Sequence, residues 1–360
     1  MKYIDEFRDK KLVDRLRAGI EKTGVTGASF MEVCGTHTMA IFRSGLRGFL
    51  EGRVSLISGP GCPVCVTAQA DIDRMIALAR IKGVVLTTFG DMLKVPGTRT
   101  NLEKERAAGA DIRIVYSPSD ALDIARSEKS RQVVFLAVGF ETTSPAVAAV
   151  VSDARAQGIG NFSIYACHKT ILPAMRALLE AKEVRLDGFI CPGHVSSILG
   201  SDAYEQVCRD YTVPCVVTGF EPVDILESLL MLLKQKAAGQ ARVEIQYRRA
   251  VRPEGNVIAQ RLIERVFETR DARWRGLGMI PGSGLRLRPS FAAFDAEKKF
   301  PIDAPEPKEN PRCLCGMVLR GVKTPKECAL FAKACTPENP FGPCMVSTEG
   351  TCAAYYKYDR

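Results

Sequence analysis

The chain has 360 residues and 13 cysteines but only three histidines, and each histidine stands within three residues of a cysteine. The stretches are Cys34-Gly-Thr-His37, Cys167-His168 and Cys191-Pro-Gly-His194. Each follows a short apolar run: SFMEV, FSIYA and GFI. A thiol and an imidazole at one turn form either a nucleophile–base pair or two ligands for a soft-to-borderline metal. A second constellation is Gly59-Pro-Gly-Cys62-Pro-Val-Cys65. In a C-x-x-C after a rigid turn, a helix N-terminus activates the first thiol, and the two thiols can close into a disulfide that stores two electrons. The competing reading is half of a zinc site, but no second C-x-x-C completes it, which leaves redox work or transient metal binding. Other apolar runs end in carboxylates: VVLTTFG at Asp91, VVFLAVGF at Glu141 and VVTGF at Glu221. Cys167, Cys191, Cys208 and Cys215 read as core thiols.

Six cysteines lie near the C-terminus: Cys313, Cys315, Cys328, Cys335, Cys344 and Cys352. The segment around them is polar and broken by Pro and Gly, so something covalent or metallic must hold it. Six thiols can bind an iron–sulfur cluster and leave two over, make three disulfides, or hold zinc beside a spare pair.

Elements able to position these residues recur along the chain. Eight short apolar runs, SFMEV, VSLIS, VVLTT, IRIVY, VVFLAV, FSIYA, DGFI and PCVVT, each end in a loop and lead toward a helical stretch. Continuous apolar runs of this length suit strands buried on both faces of parallel sheets. In such sheets ligands bind at the carboxyl ends of strands, where the residues above cluster. Ser117-Pro118 and Ser144-Pro145 signal helix starts, Gly158 a helix end, and a helix is expected from Pro222 to near Gly239. The expected architecture is α/β: two parallel-sheet α/β domains and a loop-rich C-terminal iron–sulfur domain. The division runs 1–26 as a helix packed on the C-terminal domain, 27–150, 151–252 and 253–360. The FETTSP and GFEPVD helices look like equivalent parts of two similar halves. Apolar positions at Ile4, Phe7, Leu12, Val13, Leu16 and Ile20 have helical spacing. After about residue 253 strands are expected to fade.

Composition narrows the class. Hydrophobic content of 46% and charged content of 25% are those of an ordinary globular protein. No apolar run approaches the ~18 residues of a membrane span. The charged N-terminus has no signal-peptide core, so a cytoplasmic protein is expected, where clustered cysteines point to metal or redox chemistry. The net charge of +9 is spread along the chain. Its densest part, ARVEIQYRRAVR, alternates like an edge strand and fits a solvated face or an acidic partner better than nucleic acid. No P-loop is present.

Long motifs now make a resemblance specific. MEVCGTHT, ISGPGCPVCV, TFGDMLKVPG, VGFETT, CPGHVS, TGFEP and CTPENPFGPCMVSTEGTCAAYYKY, in this order, resemble the HypD family of [NiFe]-hydrogenase maturation factors. Lys94, Thr98 and Ser144 depart from the usual Arg, Ser and Ala, none at a chemical position. The resemblance implies a scaffold that assembles the Fe(CN)2CO group with the chaperone HypC and the cyanide donor HypE, and serves the hydrogenase large subunit indirectly. It implies two α/β domains and a third with a [4Fe–4S] cluster, whose C-x14-C-x6-C-x16-C ligand spacing falls on Cys313, Cys328, Cys335 and Cys352. It leaves Cys315 and Cys344 as a pair able to form a disulfide. It makes Cys34 a ligand of the transiently bound iron, beside His37, Cys62, Cys65, Asp91, Glu141 and His194 as functional residues. The rival readings are a thiol–disulfide oxidoreductase driven by an iron–sulfur cluster, which leaves Cys34, His37, Asp91, Glu141 and His194 unexplained, and a pure binding scaffold.

Overall fold

All eight apolar runs form strands in the structure, a computed structural model that describes residues 10–359. They are β1 (Ala28–Glu32), β2 (Val54–Ser58), β3 (Val84–Thr88), β4 (Ile112–Ile114), β5 (Gln132–Ala137), β6 (Phe162–Ala166), β7 (Gly188–Pro192) and β8 (Cys215–Thr218). Three more follow: β9 (Val243–Ile245), β10 (Phe267–Trp274) and β11 (Gly278–Leu287). One parallel sheet has the order β2-β1-β7-β8-β9 and another β4-β3-β5-β6. The basic ARVEIQYRRAVR stretch supplies β9, an edge strand as its alternation suggests.

The strands do not distribute as a boundary between residues 150 and 151 would require. β6 pairs with β5, and β7 returns to β1. The β3–β6 sheet is thus inserted between β2 and β7 of the other. Pairing in parallel sheets is long-range, and apolar periodicity carries no information about it. Side chains alternate across both sheets. Met31, Phe189, Cys191 and Val217 of the first sheet share one core with Val84, Leu86, Val134 and Leu136 of the second. Phe30, Ile190 and Val216 point the other way, onto the helix Pro222–Ala237. Both faces are therefore covered, which explains the unbroken apolar runs.

The N-terminal helix runs from Lys10 to Lys22 and packs on the helix Pro222–Ala237, through Val13, Leu16 and Ile20. It does not pack on the C-terminal unit as expected; its apolar stripe completes the outer layer of the first sheet. Ile4 and Phe7 lie outside the described residues. The helix predicted after Ser117 is present with Ser117 as a capping box, and Pro222–Ala237 ends before Gly239. Helices Ser144–Ala156 and Pro222–Ala237 follow β5 and β8, one in each sheet.

Strands do not fade after residue 253. β10 and β11 form an antiparallel hairpin whose Trp274 is buried and donates from Nε1 to Ser283 Oγ at 2.8 Å. Glu268, Arg270, Asp271 and Arg273 in β10, and Pro281 with three glycines in β11, give this hairpin a loop-like composition. The cysteine-rich unit beyond it contains only short helical segments, among them Cys315–Leu319, Pro343–Val346 and Thr351–Tyr358. Among the described residues no helix is long and apolar enough to cross a membrane.

Candidate functional site

The order of each sheet has one switch point, where successive connections leave in opposite directions: between β1 and β7 in the first sheet, between β3 and β5 in the second. Crevices for ligands open there, at the carboxyl ends of the strands. Cys34 and His37 follow β1, His194 follows β7, Asp91 follows β3 and Glu141 follows β5.

Cys34 is the extended residue that starts the helix Gly35–Arg43. Only 8% of it is exposed. Burial and the Glu349 carboxylate push its thiol up to about 11, against the helix-start amides of His37 and Thr36. It therefore rests protonated, and a cation must displace the proton to bind. His37 is fully buried, and burial lowers it to about 4, so it is neutral. Its Nε2 faces Gly219 O at 2.9 Å and Thr218 O at 3.2 Å. Two carbonyl acceptors put the proton on Nε2, leaving the Nδ1 lone pair without a partner. Phe220 stacks on His37 at 4.7 Å and on the exposed His194 at 4.0 Å, so one ring joins the two crevice histidines.

The GPGCPVC loop lies directly on this turn. Gly35 N donates to Gly61 O at 3.1 Å. A Cβ on Gly61 would collide with the Cys34 backbone, so only glycine permits the approach. Cys62 and Cys65 are joined by a disulfide with Cα atoms 5.2 Å apart. Cys62 starts the short helix Pro63–Val66, the position that favours a thiolate.

The C-terminal unit closes the site. Thr36 Oγ1 donates to Glu349 Oε1 at 2.6 Å, and a Cβ on Gly35 would meet Glu349. Ser347 Oγ donates to Asp91 Oδ2 at 3.2 Å. The Ser-Thr-Glu segment 347–349 thus touches the switch points of both sheets. Cys65 Sγ lies 3.9 Å from Pro343 O, next to Cys344. Cys344 and Cys315 are buried with their sulfurs 2.8 Å apart. All six C-terminal cysteines line one small cavity of about 20 Å³, among Leu314, Val318, Leu330, Phe331 and Met345. Cys335 Sγ accepts from Phe341 N at 3.4 Å. Among the described residues no three His, Cys, Asp or Glu side chains converge tightly enough for a single ion. The sulfurs stand around a space instead.

Not every sequence candidate joins this cluster. Glu141 is buried, its Oε1 accepting from Ile171 N at 2.9 Å while Oε2 has no partner. Burial raises its carboxyl to about 7. His168 lies beneath the hairpin, edge-on to Phe267, with both ring nitrogens unpartnered, and burial lowers it to about 3. It takes no part in the Phe220 stack that joins His37 and His194. Cys167, Cys191, Cys208 and Cys215 are buried thiols. Residues the sequence reading passed over are Thr36, Phe220, Glu349 and Glu32. Glu32 Oε1 accepts from Ser58 Oγ at 2.6 Å and from Thr38 Oγ1 at 3.3 Å, and burial raises Glu32 to about 7. All of these, Ser58 included, lie inside the quoted motifs MEVCGTHT, ISGPGCPVCV, TGFEP and CTPENPFGPCMVSTEGTCAAYYKY, which was the available signal.

The comparisons with known proteins agree with these motifs. The HypD family model, described as "Hydrogenase formation hypA family", matches residues 9–359. The chain is 49% identical over 369 residues to "Hydrogenase maturation factor HypD" of Azotobacter vinelandii, covering 100% of this chain and 97% of that protein. It is 48% identical to the protein of that name from Rhizobium leguminosarum bv. viciae, covering 100% and 96%. It is 44% identical to that of Escherichia coli K12, covering 99% and 98%. The chain belongs to the HypD family of hydrogenase maturation factors.

Proposed function

We propose that this cytoplasmic protein assembles the Fe(CN)2CO group of [NiFe]-hydrogenase, working with HypC and HypE and serving the hydrogenase large subunit indirectly. The observation that carries the reading is the meeting of three sulfur groups: Cys34 under the Gly61 turn, the Cys62–Cys65 pair in the same loop, and the cysteine cavity lined by Gly342 and Cys344, between which the Pro343 carbonyl lies 3.9 Å from Cys65 Sγ.

The iron is the cargo. Low-spin iron with cyanide and CO takes thiolate donors. Cys34 supplies one, losing its proton as iron binds, and HypC supplies another. His37 Nδ1, unpartnered and neutral, is suited to hold that proton or the thiol. Cyanide carried by HypE as a thiocyanate is released by two electrons, the number a dithiol stores. Cys62 and Cys65 fit that role. A cavity walled by six sulfurs and apolar side chains suits a polynuclear cluster. Cys313, Cys328, Cys335 and Cys352 would hold a [4Fe–4S] cluster, and Cys315 with Cys344 is the pair between it and Cys65. When bound, the cluster supplies single electrons.

The experiment is the double variant Cys62→Ser/Cys65→Ser, run in a HypC pull-down beside an in vivo hydrogenase maturation assay. Unchanged HypC capture with maturation lost is expected, because two serines barely alter the surface of the loop. Lost capture would make the loop an interface instead. Normal maturation would end the two-electron role. Efficient disulfide turnover by the wild type, without cyanide or CO on iron, would favour the oxidoreductase reading.

A further inference from the structure

The cysteine cavity shares a wall with the solvent. Cys313 and Cys315 line it and also line a second, open cavity of about 690 Å³. Arg275 forms part of that second cavity and is only 5% exposed. Its Nε donates to Thr67 O at 3.1 Å and one terminal nitrogen to Gln69 Oε1 at 2.9 Å. The other terminal nitrogen reaches the exposed Glu309 carboxylate at 3.4 Å. Lys308 and Arg312 stand exposed at the mouth. An adjoining cleft shares Pro96, Gly97, Thr98, Asn339 and Pro340 with this cavity. It adds Lys94, Arg99 and Lys104, against the carboxylates of Glu103 and Glu338. Cations outnumber carboxylates in both openings.

We propose that this basic mouth is the docking surface for an acidic one-electron carrier protein, which reduces the cluster through the wall formed by Cys313 and Cys315. The proposal rests on the reading of the cysteine cavity as a cluster site. A buried cluster that feeds electrons inward must receive them from outside, and here the half-buried Cys313, with Cys315, also lines an open surface. The step is balanced: the reduced centre of the carrier loses one electron, the cluster gains it, and no bond forms or breaks. The charge of the mouth selects the partner. A ring of cations steers a negatively charged protein toward it and holds it in register. Arg275, fixed by Thr67 and Gln69, already holds one carboxylate, that of Glu309, and shows how an acidic side chain of the carrier would seat.

The test uses an acidic plant-type [2Fe–2S] ferredoxin as probe and the double variant Lys308→Glu/Arg99→Glu, which leaves every cysteine and Arg275 in place. Binding of oxidised ferredoxin to the anaerobically purified full chain is followed by fluorescence anisotropy across ionic strength. Cluster reduction is followed by stopped flow, once with reduced ferredoxin and once with photoreduced deazariboflavin, an uncharged reductant. The expected result is wild-type binding that weakens with salt, and in the variant a loss of about tenfold in both ferredoxin affinity and ferredoxin-driven rate. The deazariboflavin rate should not change. Equal ferredoxin binding by variant and wild type would overturn the proposal, as would an equal fall in both rates. A wild-type protein without a cluster would sink the underlying reading and the electron-transfer step with it, whereas a cluster present but equal ferredoxin binding would sink the docking surface alone.

Discussion

Two buried groups at the residue scale both favour their protonated forms. Cys34, pushed up to about 11, keeps its proton at neutral pH, while Glu141, raised from 4.5 to about 7, keeps one that the unfolded chain would release. Between pH 4.5 and 7 the folded chain therefore binds more protons than the unfolded chain at Glu141, and native stability falls as pH rises through that window. Glu141→Gln removes the cost of ionising a buried carboxyl. Relative to wild type it should gain stability from pH 5 to pH 7.5, by on the order of 3 kcal/mol at most. Urea unfolding at the two pH values measures this. A difference between variant and wild type that does not change with pH would mean that Glu141 ionises freely in the native state. Candidate residues were legible where a motif put a cysteine, histidine or carboxylate at a strand exit. His168 shares that signature, yet the hairpin buries it, because a local pattern does not say what will pack on top. Phe220 and Thr36 were not legible, since an aromatic and a threonine carry no reactive group of their own. Their roles arise from stacking and from the contact with Glu349.

At the scale of elements, the site depends on loops that approach without side chains. Gly61 lies against the Cys34 backbone, and Gly35 against Glu349. Gly61→Ala should lower stability by about 2–4 kcal/mol and loosen the turn that presents Cys34. Gly48→Ala is the control, because nothing lies within 4 Å of a Cβ there and its φ is not in the left-handed region. Thermal unfolding of the two variants should separate them by at least several degrees; coincident midpoints would show that the GPGC loop simply moves aside. Eight of the nine strands in the two parallel sheets were readable because burial on both faces leaves continuous apolar runs such as VVLTT and FSIYA. β10 was not, since it carries Glu268, Arg270, Asp271 and Arg273, and its partner strand contains a proline.

The whole molecule brings the two sheets and the cysteine-rich unit to one place, and the sequence does not say so. Motifs reveal the pieces. The insertion of the β3–β6 sheet between β2 and β7, and the reach of residues 347–349 to Thr36 and Asp91, come only from the long-range packing. The same packing makes the C-terminal cysteines unequal. Cys335→Ala should abolish the brown chromophore of the anaerobic protein and destabilise the C-terminal unit, because a bound cluster provides part of its folding energy. Cys344→Ala should retain the chromophore, its sulfur being paired with Cys315. Bleaching by Cys344→Ala with colour kept in Cys335→Ala would reverse the ligand assignment. The central claim is that iron carrying cyanide and CO is built at Cys34, where both sheets and the cysteine unit meet. The most direct measurement is the infrared spectrum of the protein isolated anaerobically with HypC, wild type beside Cys34→Ala. Cyanide and CO stretches in the wild type, and their loss in a Cys34→Ala protein that keeps its fold and chromophore, are the predicted result. Full cyanide and CO bands in Cys34→Ala would contradict the account.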